Sequence, residues 1–310
     1  MPMTTAMTLG ILLAGSLGAA EPPVNRYANA AAVVGDRVVI VGGTIAGDAE
    51  HRLTQVTEIL DTRTGEWQRG TDMPTARDFA CAVSVGGKVI AIGGLIDGRR
   101  PSDATEMYDP VEDRWTILPA LPTARNRMGA CVIDGQVYVA GGIGLVDAAD
   151  DITMTTLERF DPATRTWERL ADMQHGRHGH VVVAHEGEVW VIGGYAPDMT
   201  DNVEIYNPGT DSWRDGPALS EPRGFPVGAV VGDRIVVINS RSKAARTSTI
   251  YEDGAWRAGP AVPDDRHRCG VGVVGGRIYL VSGDVSGQAY PTPHTIWLDV
   301  DTGEWGTPGP

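Results

Sequence analysis

The stretch RNRMGACVIDGQVYVAGG, residues 125–142, contains the pattern that decides the fold. An Arg leads into an apolar run, which is divided by Asp134-Gly135 and ends at Gly141-Gly142. Asp-Gly between two β-branched runs is a strong signal for a tight hairpin turn. Further along, Asp161-Pro162 marks another turn before a short run that begins at a Trp. The pattern therefore predicts four strands, over residues 128–133, 136–140, 156–160 and 167–170.

This pattern recurs six times. Each of the first five Trp residues is followed ten positions later by an Arg, and each Arg is followed sixteen positions later by a Gly pair or an altered copy of it. The repeat Arg residues are Arg26, Arg77, Arg125, Arg177, Arg223 and Arg266. The Gly pairs and their altered copies are Gly42-Gly43, Gly93-Gly94, Gly141-Gly142, Gly193-Gly194, Asn239-Ser240 and Ser282-Gly283. The Trp series is Trp67, Trp115, Trp167, Trp213, Trp256 and Trp305. Because four strands cannot bury both of their faces alone, the units must pack on each other, and a radial arrangement protects their edges.

The period and the residues resemble the kelch repeat. Repeats of 43 to 52 residues fall near the kelch length, and RHGHVVVAHEGEVWVIGG, residues 177–194, is similar to the kelch motif. The resemblance implies an all-β fold, a six-bladed kelch-type β-propeller with four antiparallel strands per blade. We expect a single propeller over residues 21–310, with blades near residues 26–73, 77–121, 125–173, 177–219, 223–262 and 266–308.

Most of the repeated residues have structural roles in this interpretation. The Trp side chains are expected to pack between blades, and the third-strand acids to pair with backbone or Arg groups between blades. Those acids are Glu58, Glu106, Glu158 and Glu204. The last two repeats depart from the pattern, because Thr249 and Ile296 stand where the Glu is expected.

Composition limits the partners. A net charge of −14 and a pI near 4.9, without a run of Lys or Arg, argue against nucleic acid as a ligand. The apolar residues 7–20 end in Gly18-Ala19-Ala20, which predicts a signal peptide over residues 1–20 and a secreted or periplasmic protein. If residues 1–20 are not a signal, the protein is expected in the cytoplasm. The mature chain is predicted to be a monomer with no membrane insertion.

The chain has three cysteines, Cys81, Cys131 and Cys269, and an odd number cannot form a complete internal disulfide set. Each falls in the predicted first strand of its repeat, where a small apolar side chain suits a crowded position. We expect buried free thiols.

A ligand is expected on the face that bears the repeat Arg residues. The connections between second and third strands share this face and vary most, as binding loops on a rigid scaffold do. The residues just after each Arg also differ between repeats and predict a mixed aromatic, basic and amide rim at the channel mouth. The ligand-binding candidates are Tyr27, Asp78, Phe79, Asn126, Arg127, His178, Phe225, His267 and Arg268. Such a rim fits a protein segment or a glycan.

No cofactor and no metal site are predicted. His178 and His180 alternate onto one face of a strand, but no carboxylate or Cys nearby completes a ligand set. His180 also occupies the position of the repeat's own Gly-His pair, which favours a structural role.

The family resemblance implies two functions of different classes. In BTB–kelch adaptors, residues near the channel mouth bind acidic peptides, and Arg127 in its RNRMG setting is similar to one of them. This favours a binding module that is not an enzyme. The alternative is a sugar mutarotase of the exported N-acetylneuraminate epimerase type, which an Arg-bearing channel would suit. Such an enzyme needs an acid/base pair, for which Asp78 with His178 or His267 are the candidates.

Overall fold

The computed structural model of the chain describes residues 24–45, 52–146, 150–241, 246–285 and 291–308, and of residues 145, 146, 150 and 151 only the backbone. The predicted signal peptide, residues 1–20, lies outside these ranges. All regular structure in the described residues is β-strand. Six sheets have four antiparallel strands each, which confirms the predicted number of strands per blade.

The first two blades come from the first third of the chain. Blade 1 has the strand order β2-β3-β6-β7, and blade 2 has the order β8-β9-β12-β13. Three further short strands form a small sheet beside blade 1, with the order β1-β4-β5, and β10 pairs with β11 beside blade 2. The strands are β1 Arg26–Tyr27, β2 Ala30–Val34, β3 Arg37–Val41, β4 Thr44–Ile45, β5 Arg52–Leu53, β6 Thr57–Asp61, β7 Trp67–Gly70, β8 Cys81–Val85, β9 Lys88–Ile92, β10 Leu95–Ile96, β11 Arg100–Pro101, β12 Thr105–Asp109 and β13 Arg114–Ile117.

Blades 3 and 4 have the orders β14-β15-β18-β19 and β20-β21-β22-β23, and β16 pairs with β17 as a separate hairpin. Their strands are β14 Gly129–Ile133, β15 Gln136–Ala140, β16 Ile143–Val146, β17 Asp150–Thr153, β18 Leu157–Asp161, β19 Thr166–Arg169, β20 Val181–His185, β21 Glu188–Ile192, β22 Val203–Asn207 and β23 Ser212–Asp215. The strands predicted for blade 3 are observed with bounds that differ by one residue at most. Asp134 and Gly135 both have positive φ, 49° and 76°, as the predicted tight turn requires.

Blades 5 and 6 have the orders β24-β25-β26-β27 and β28-β29-β30-β31. Their strands are β24 Val227–Val231, β25 Arg234–Ile238, β26 Ser248–Glu252, β27 Ala255–Ala258, β28 Gly270–Val274, β29 Arg277–Val281, β30 Thr295–Asp299 and β31 Trp305–Gly306. Each blade is therefore one consecutive stretch of chain.

The blades form a closed ring. The first strand of each blade contacts the first strands of both neighbours, and β2 of blade 1 contacts β28 of blade 6. Apolar side chains fill the interfaces between blades. Val83 of blade 2, for example, shares a cluster with Val137 and Phe160 of blade 3. Burial of such apolar surface between neighbours supplies the stability that a lone blade lacks.

The Trp side chains pack between blades, as predicted. Trp115, Trp167, Trp213 and Trp256 each donate their indole N–H to a backbone carbonyl of the preceding blade or the linker after it, at 2.7 to 3.0 Å. The third-strand Glu residues do pair with Arg, but the expected position between blades is wrong. Each Glu binds the Arg that leads into its own blade, because that Arg side chain turns back along the blade's second and third strands.

The three cysteines are free thiols. Cys131 is buried in β14 and Cys81 is partly buried at the start of β8, whereas Cys269 is buried one residue before β28. Burial raises the pKa of Cys81 and Cys269 to about 12, so these thiols are neutral and poorly nucleophilic at neutral pH.

Candidate functional site

The repeat Arg side chains are structural and do not line the channel. All six are at most 2% exposed. Arg26 donates to the carbonyl of Gly42 at 3.0 Å, and Arg125 donates to that of Gly141 at 3.3 Å. In blades 1, 3, 4 and 5 the sixteen-residue spacing in the sequence thus corresponds to a hydrogen bond from the Arg to the first residue of the Gly pair or its altered copy. Arg77 and Arg266 donate instead to carbonyls two residues earlier, those of Ala91 and Leu280. The Arg-bearing channel that the mutarotase alternative invoked is consequently wrong for these residues.

The residue after the repeat Arg lies beside the residue after the Gly pair. Their backbones form antiparallel bridges in five blades, and in blade 5 the Arg241 N–H donates to the Gly224 carbonyl at 2.9 Å. The bridged pairs are Tyr27 with Thr44, Asp78 with Leu95, Asn126 with Ile143, His178 with Tyr195, and His267 with Asp284. The predicted rim and the variable connections therefore share one face of the ring.

Next along the chain, a ring of six residues with left-handed backbone surrounds the channel mouth. Their φ values lie between 48° and 57°. In five of the six members the N–H donates to the carbonyl of the preceding blade's member of the ring, at 2.7 to 3.0 Å. The members are Ala28, Phe79, Arg127, Gly179, Phe225 and Arg268. Because only closure of the ring brings these residues together, the backbone here is fixed before any ligand arrives.

Two guanidinium groups stack on aromatic rings at this mouth. The Arg127 guanidinium lies 4.6 Å from the centre of the Phe79 ring, and that of Arg268 lies 4.7 Å from the centre of the Tyr27 ring. Arg268 is also 5.8 Å from Phe79, whose ring centre is 6.3 Å from that of Phe225. Cation–π contact with the ring faces stabilises each guanidinium at this position. We call Tyr27, Phe79, Arg127, Phe225 and Arg268 the mouth cluster.

His178 extends the aromatic surface on the side of blade 4. Its ring stacks on Tyr195 with centres 5.2 Å apart and lies 5.9 Å from the Phe225 ring. Tyr195 in turn is 5.4 Å from Phe225. Six of the predicted candidates, one from each blade, thus form one continuous surface around the mouth: Tyr27, Phe79, Arg127, His178, Phe225 and Arg268.

Two cavities open at this surface. A cavity of ≈ 130 Å³ lies at the channel mouth, and the mouth-cluster residues Phe79, Arg127, Phe225 and Arg268 line it. A second cavity of ≈ 640 Å³, the side pocket, lies between the connections of blades 1 and 2. Phe79 and Arg127 line both cavities, so the two cavities are neighbours that share these side chains as a wall.

Asp78 forms part of the side pocket and is 6% exposed. One of its carboxylate oxygens accepts a hydrogen bond of 2.6 Å from the Thr44 hydroxyl. Burial raises the pKa of Asp78, although Thr44 and the nearby Arg127 and Arg268 act in the opposite direction. This carboxyl is therefore more easily protonated than an exposed aspartate.

The remaining candidates are less accessible. Asn126 is buried and its side-chain amide donates to the Ile143 carbonyl at 3.2 Å. His267 is buried, and desolvation lowers its pKa, so the ring is neutral at pH 7. Both side chains lie beneath the exposed residues of the rim and are not open to a ligand at the mouth.

His178 and His180 do not share a site. His180 is buried and its Nε2 lies 3.1 Å from the carbonyl oxygen of Ala140. Burial lowers the pKa of His180 to about 3, so it stays neutral. Across the described ranges, no group of three or more His, Cys, Asp or Glu side chains is placed to hold a metal ion.

The sequence analysis missed the residues that follow the Gly pairs. Tyr195 stacks on His178, Thr44 binds Asp78, and Asp284 forms an ion pair with Arg268. The signal was present, because these positions stand a constant seventeen residues after the rim residues with which their backbones pair. Only the antiparallel bridge shows that the two positions are neighbours.

Comparison with known proteins gives the family. A family model of the KLHDC2/KLHL20/DRC7 kelch-repeats domain matches residues 71–240, more than half of the chain, and a kelch-motif model matches residues 25–74. The chain belongs to the kelch-repeat family. The kelch propeller predicted from the sequence is confirmed by these matches and by the six four-stranded sheets.

Among similar proteins, kelch repeat and BTB domain-containing protein 12 of Danio rerio is 26% identical over 242 residues, which are 74% of this chain and 32% of that protein. Kelch-like protein 23 of Homo sapiens is 27% identical over 214 residues, 69% of this chain and 37% of that protein. This kelch chain thus spans about a third of the length of these curated relatives.

A solved structure, described as the structure of YjhT, has a TM-score of 0.77 and covers 92% of this chain and 98% of its own. At 17% identity, that likeness shows the fold. Within the described part of this kelch propeller, no helix is long and apolar enough to cross a lipid bilayer.

Proposed function

We propose that this kelch propeller is a binding module that holds an acidic protein segment over the channel mouth. The observation that carries the proposal is the pair of guanidinium groups in the mouth cluster, each stacked on an aromatic ring. A guanidinium presents a planar fork of donors that matches a carboxylate. The segment would contact both Arg127 and Arg268 and extend across the aromatic surface toward Tyr195.

Two features of the site support binding rather than catalysis. The left-handed ring fixes the backbone beneath the mouth cluster, which reduces the ordering that a ligand must impose. The protein's overall charge of −14 repels acidic segments except where positive groups concentrate, so the mouth cluster determines where they bind. We therefore propose a non-enzymatic module that acts as a monomer.

The test is the affinity for a fluorescein-labelled peptide, Gly-Glu-Gly-Glu-Gly, measured by fluorescence anisotropy at low and high salt. Arg127→Ala and Arg268→Ala are each expected to weaken binding at least ten-fold without lowering the melting temperature. Arg99→Ala removes an exposed positive charge from the same face and should leave binding unchanged. The proposal would be refuted if wild type and the three Ala variants bound the peptide with equal affinity. It would also be refuted if a peptide with Gln in place of Glu bound wild type as tightly as the acidic peptide does.

A second candidate, a sugar mutarotase, is favoured by one observation. Asp78 is a buried carboxyl with a raised pKa in a cavity of ≈ 640 Å³, and a carboxyl that is protonated more easily than usual can serve as an acid/base group. If the protein catalyses ring opening and closure of a sugar, NMR should show faster exchange between the anomers when the protein is added. Unchanged exchange across acidic and neutral sugars, with the same result for Asp78→Asn, would exclude this candidate. A glycan that is bound without being converted would be detected by array screening and would show unchanged anomeric exchange.

Export of the chain is also a proposal, since it rests on residues 7–20 and the Gly18-Ala19-Ala20 site. Intact-mass analysis of the protein from its native host should show a mature chain that starts at Glu21. A mass that includes residues 1–20 would place the protein in the cytoplasm.

A further inference from the structure

The Arg268 side chain at the mouth has an internal acid against it. Asp284 forms a close ion pair with Arg268, and its Oδ2 also lies 3.7 Å from His267 Nε2. The Arg268 side chain is 24% exposed and that of Asp284 is 17% exposed, so the pair sits at the surface of the mouth. Its carboxylate therefore occupies the place where an incoming anion meets Arg268.

Asp284 is unusual among the six equivalent positions of the propeller. It directly follows the altered Gly pair of blade 6, where the other five blades have uncharged or basic residues. Those residues are Thr44, Leu95, Ile143, Tyr195 and Arg241. Among these six positions, only that of blade 6 holds an acid. The ring member of the same blade is Arg268, whose guanidinium lies within ion-pair distance of Asp284.

The backbone keeps Asp284 at this position. Its N–H donates to the His267 carbonyl at 3.0 Å, and the His267 N–H donates to the Asp284 carbonyl at 2.9 Å. Because these reciprocal bonds fix the backbone of Asp284, its carboxylate can move away from Arg268 only by rotation of the side chain. Arg268 would keep its place, because its guanidinium still stacks on the rings of Tyr27 and Phe79.

We propose that Asp284 occupies the position of the ligand's own carboxylate on Arg268, so that binding exchanges an internal ion pair for an intermolecular one. This inference rests on the proposed function. It specifies that the ligand group that contacts Arg268 is a single carboxylate, a planar anion with two oxygens. Asp284 thereby sets specificity, since a neutral or basic group cannot replace it on Arg268. It also lowers affinity, because each ligand must first displace it.

The test compares the full-length protein with Asp284→Asn, using the Gly-Glu-Gly-Glu-Gly peptide and its Gln counterpart. Loss of the competing charge is expected to tighten binding of the acidic peptide about ten-fold and to leave the Gln peptide unaffected. Asp103→Asn is the matched control, since Asp103 is an exposed acid on the connection of blade 2. It should change affinity less than two-fold. Weaker binding by Asp284→Asn would overturn the inference, because Asp284 would then serve to position Arg268.

A second measurement does not depend on any peptide. Phenylglyoxal modifies accessible Arg side chains, and peptide mapping by mass spectrometry gives a separate rate for Arg268 and Arg127. Asp284→Asn should speed modification of Arg268 several-fold and leave Arg127 unchanged. Identical Arg268 rates would overturn the inference. A faster Arg268 rate together with no binding of either peptide would instead refute the proposed function and retain the displaceable pair.

Discussion

The buried repeat Arg is paired with an acid in every blade, but the acid comes from a different place in blades 1 to 4 than in blades 5 and 6. In blades 1 to 4 the partner is a third-strand Glu that is itself almost fully buried. In blades 5 and 6 the partner is an acid two residues before the Arg, Glu221 for Arg223 and Asp264 for Arg266. Every one of the six guanidinium groups therefore has a carboxylate beside it, which the sheet supplies in blades 1 to 4 and the linker supplies in blades 5 and 6.

The two replacements differ in quality. Asp264 receives three hydrogen bonds from the Arg266 guanidinium, at 2.6 to 3.1 Å, whereas Glu221 makes one contact of 3.3 Å and its side chain is 42% exposed. Burial alone would raise the pKa of Asp264, but the bonds from Arg266 outweigh it and hold that pKa below its ordinary value. Blade 5 therefore has the weakest charge pairing of the six.

The largest effect is expected from Glu158→Ala in blade 3. This change leaves the Arg125 guanidinium buried without its carboxylate, which costs about 3–5 kcal/mol of unfolding free energy. Urea denaturation measures the loss. Glu158→Gln is the control, because it keeps an oxygen acceptor and should cost less. A loss below about 1 kcal/mol for Glu158→Ala would mean that the pair is not needed, in contrast to typical buried pairs.

Acid should destabilise blade 4 through His180. Its pKa is about 3 in the folded protein and 6.5 ordinarily, so only the unfolded chain takes up the proton between these values. Stability is therefore full above pH 6.5 and falls as the pH drops toward 3. The expected loss between pH 7 and pH 4 is about 3 kcal/mol, at about 1.4 kcal/mol per pH unit.

The measurement is the unfolding free energy of wild type and His180→Gln across this pH range. Carboxylates contribute equally to both curves, so their difference isolates His180. If the two curves of unfolding free energy against pH were parallel, His180 would have the same pKa in the folded and the unfolded protein.

Asn239 gives the next effect, in blade 5. Its side-chain amide donates to the carbonyls of Asp264 and Arg266 at 3.1 and 2.9 Å, and its oxygen accepts from the Arg246 N–H at 3.0 Å. Its φ of 58° suits Gly, so Asn239→Gly removes the hydrogen bonds without backbone strain and should cost about 2 kcal/mol. Asn239→Ala should cost more in the same denaturation assay, since it adds strain. Equal stability of the Gly variant and wild type would show that blade 5 has no need of this amide.

The smallest effect is expected from Glu221→Ala. A partly exposed, single contact contributes less than about 1 kcal/mol, even though its partner Arg223 is buried. Asp264→Ala in blade 6 should cost more, because Arg266 loses three hydrogen bonds. If Glu221→Ala proves as costly as Glu158→Ala, the distinction between the two groups of blades is wrong.

The fold was accessible to sequence reasoning because its pattern is periodic. The interval between Arg125 and Gly141 reports a hydrogen bond inside one blade, and such local spacings survive in every copy. The acids at Glu221 and Asp264 could also have been found, since both stand two residues before a repeat Arg.

The site was less accessible, for a physical reason. Arg127 and Arg268 were named as candidates, but their stacking on rings from other blades depends on closure of the ring. Asp284 was missed because it lies in a variable connection, where neighbouring copies give no guide to its partner. Contacts between blades have no fixed sequence spacing, so they appear only in three dimensions.

Each blade takes its strands from one uninterrupted stretch, and blade 1 meets blade 6 without sharing a strand. The order in which the chain visits the blades is therefore not fixed by strand pairing at the junction. A circular permutant that starts before Arg125 and joins the old ends by a flexible linker should fold to the same ring. Gain or loss of whole blades by gene duplication would follow the same boundaries.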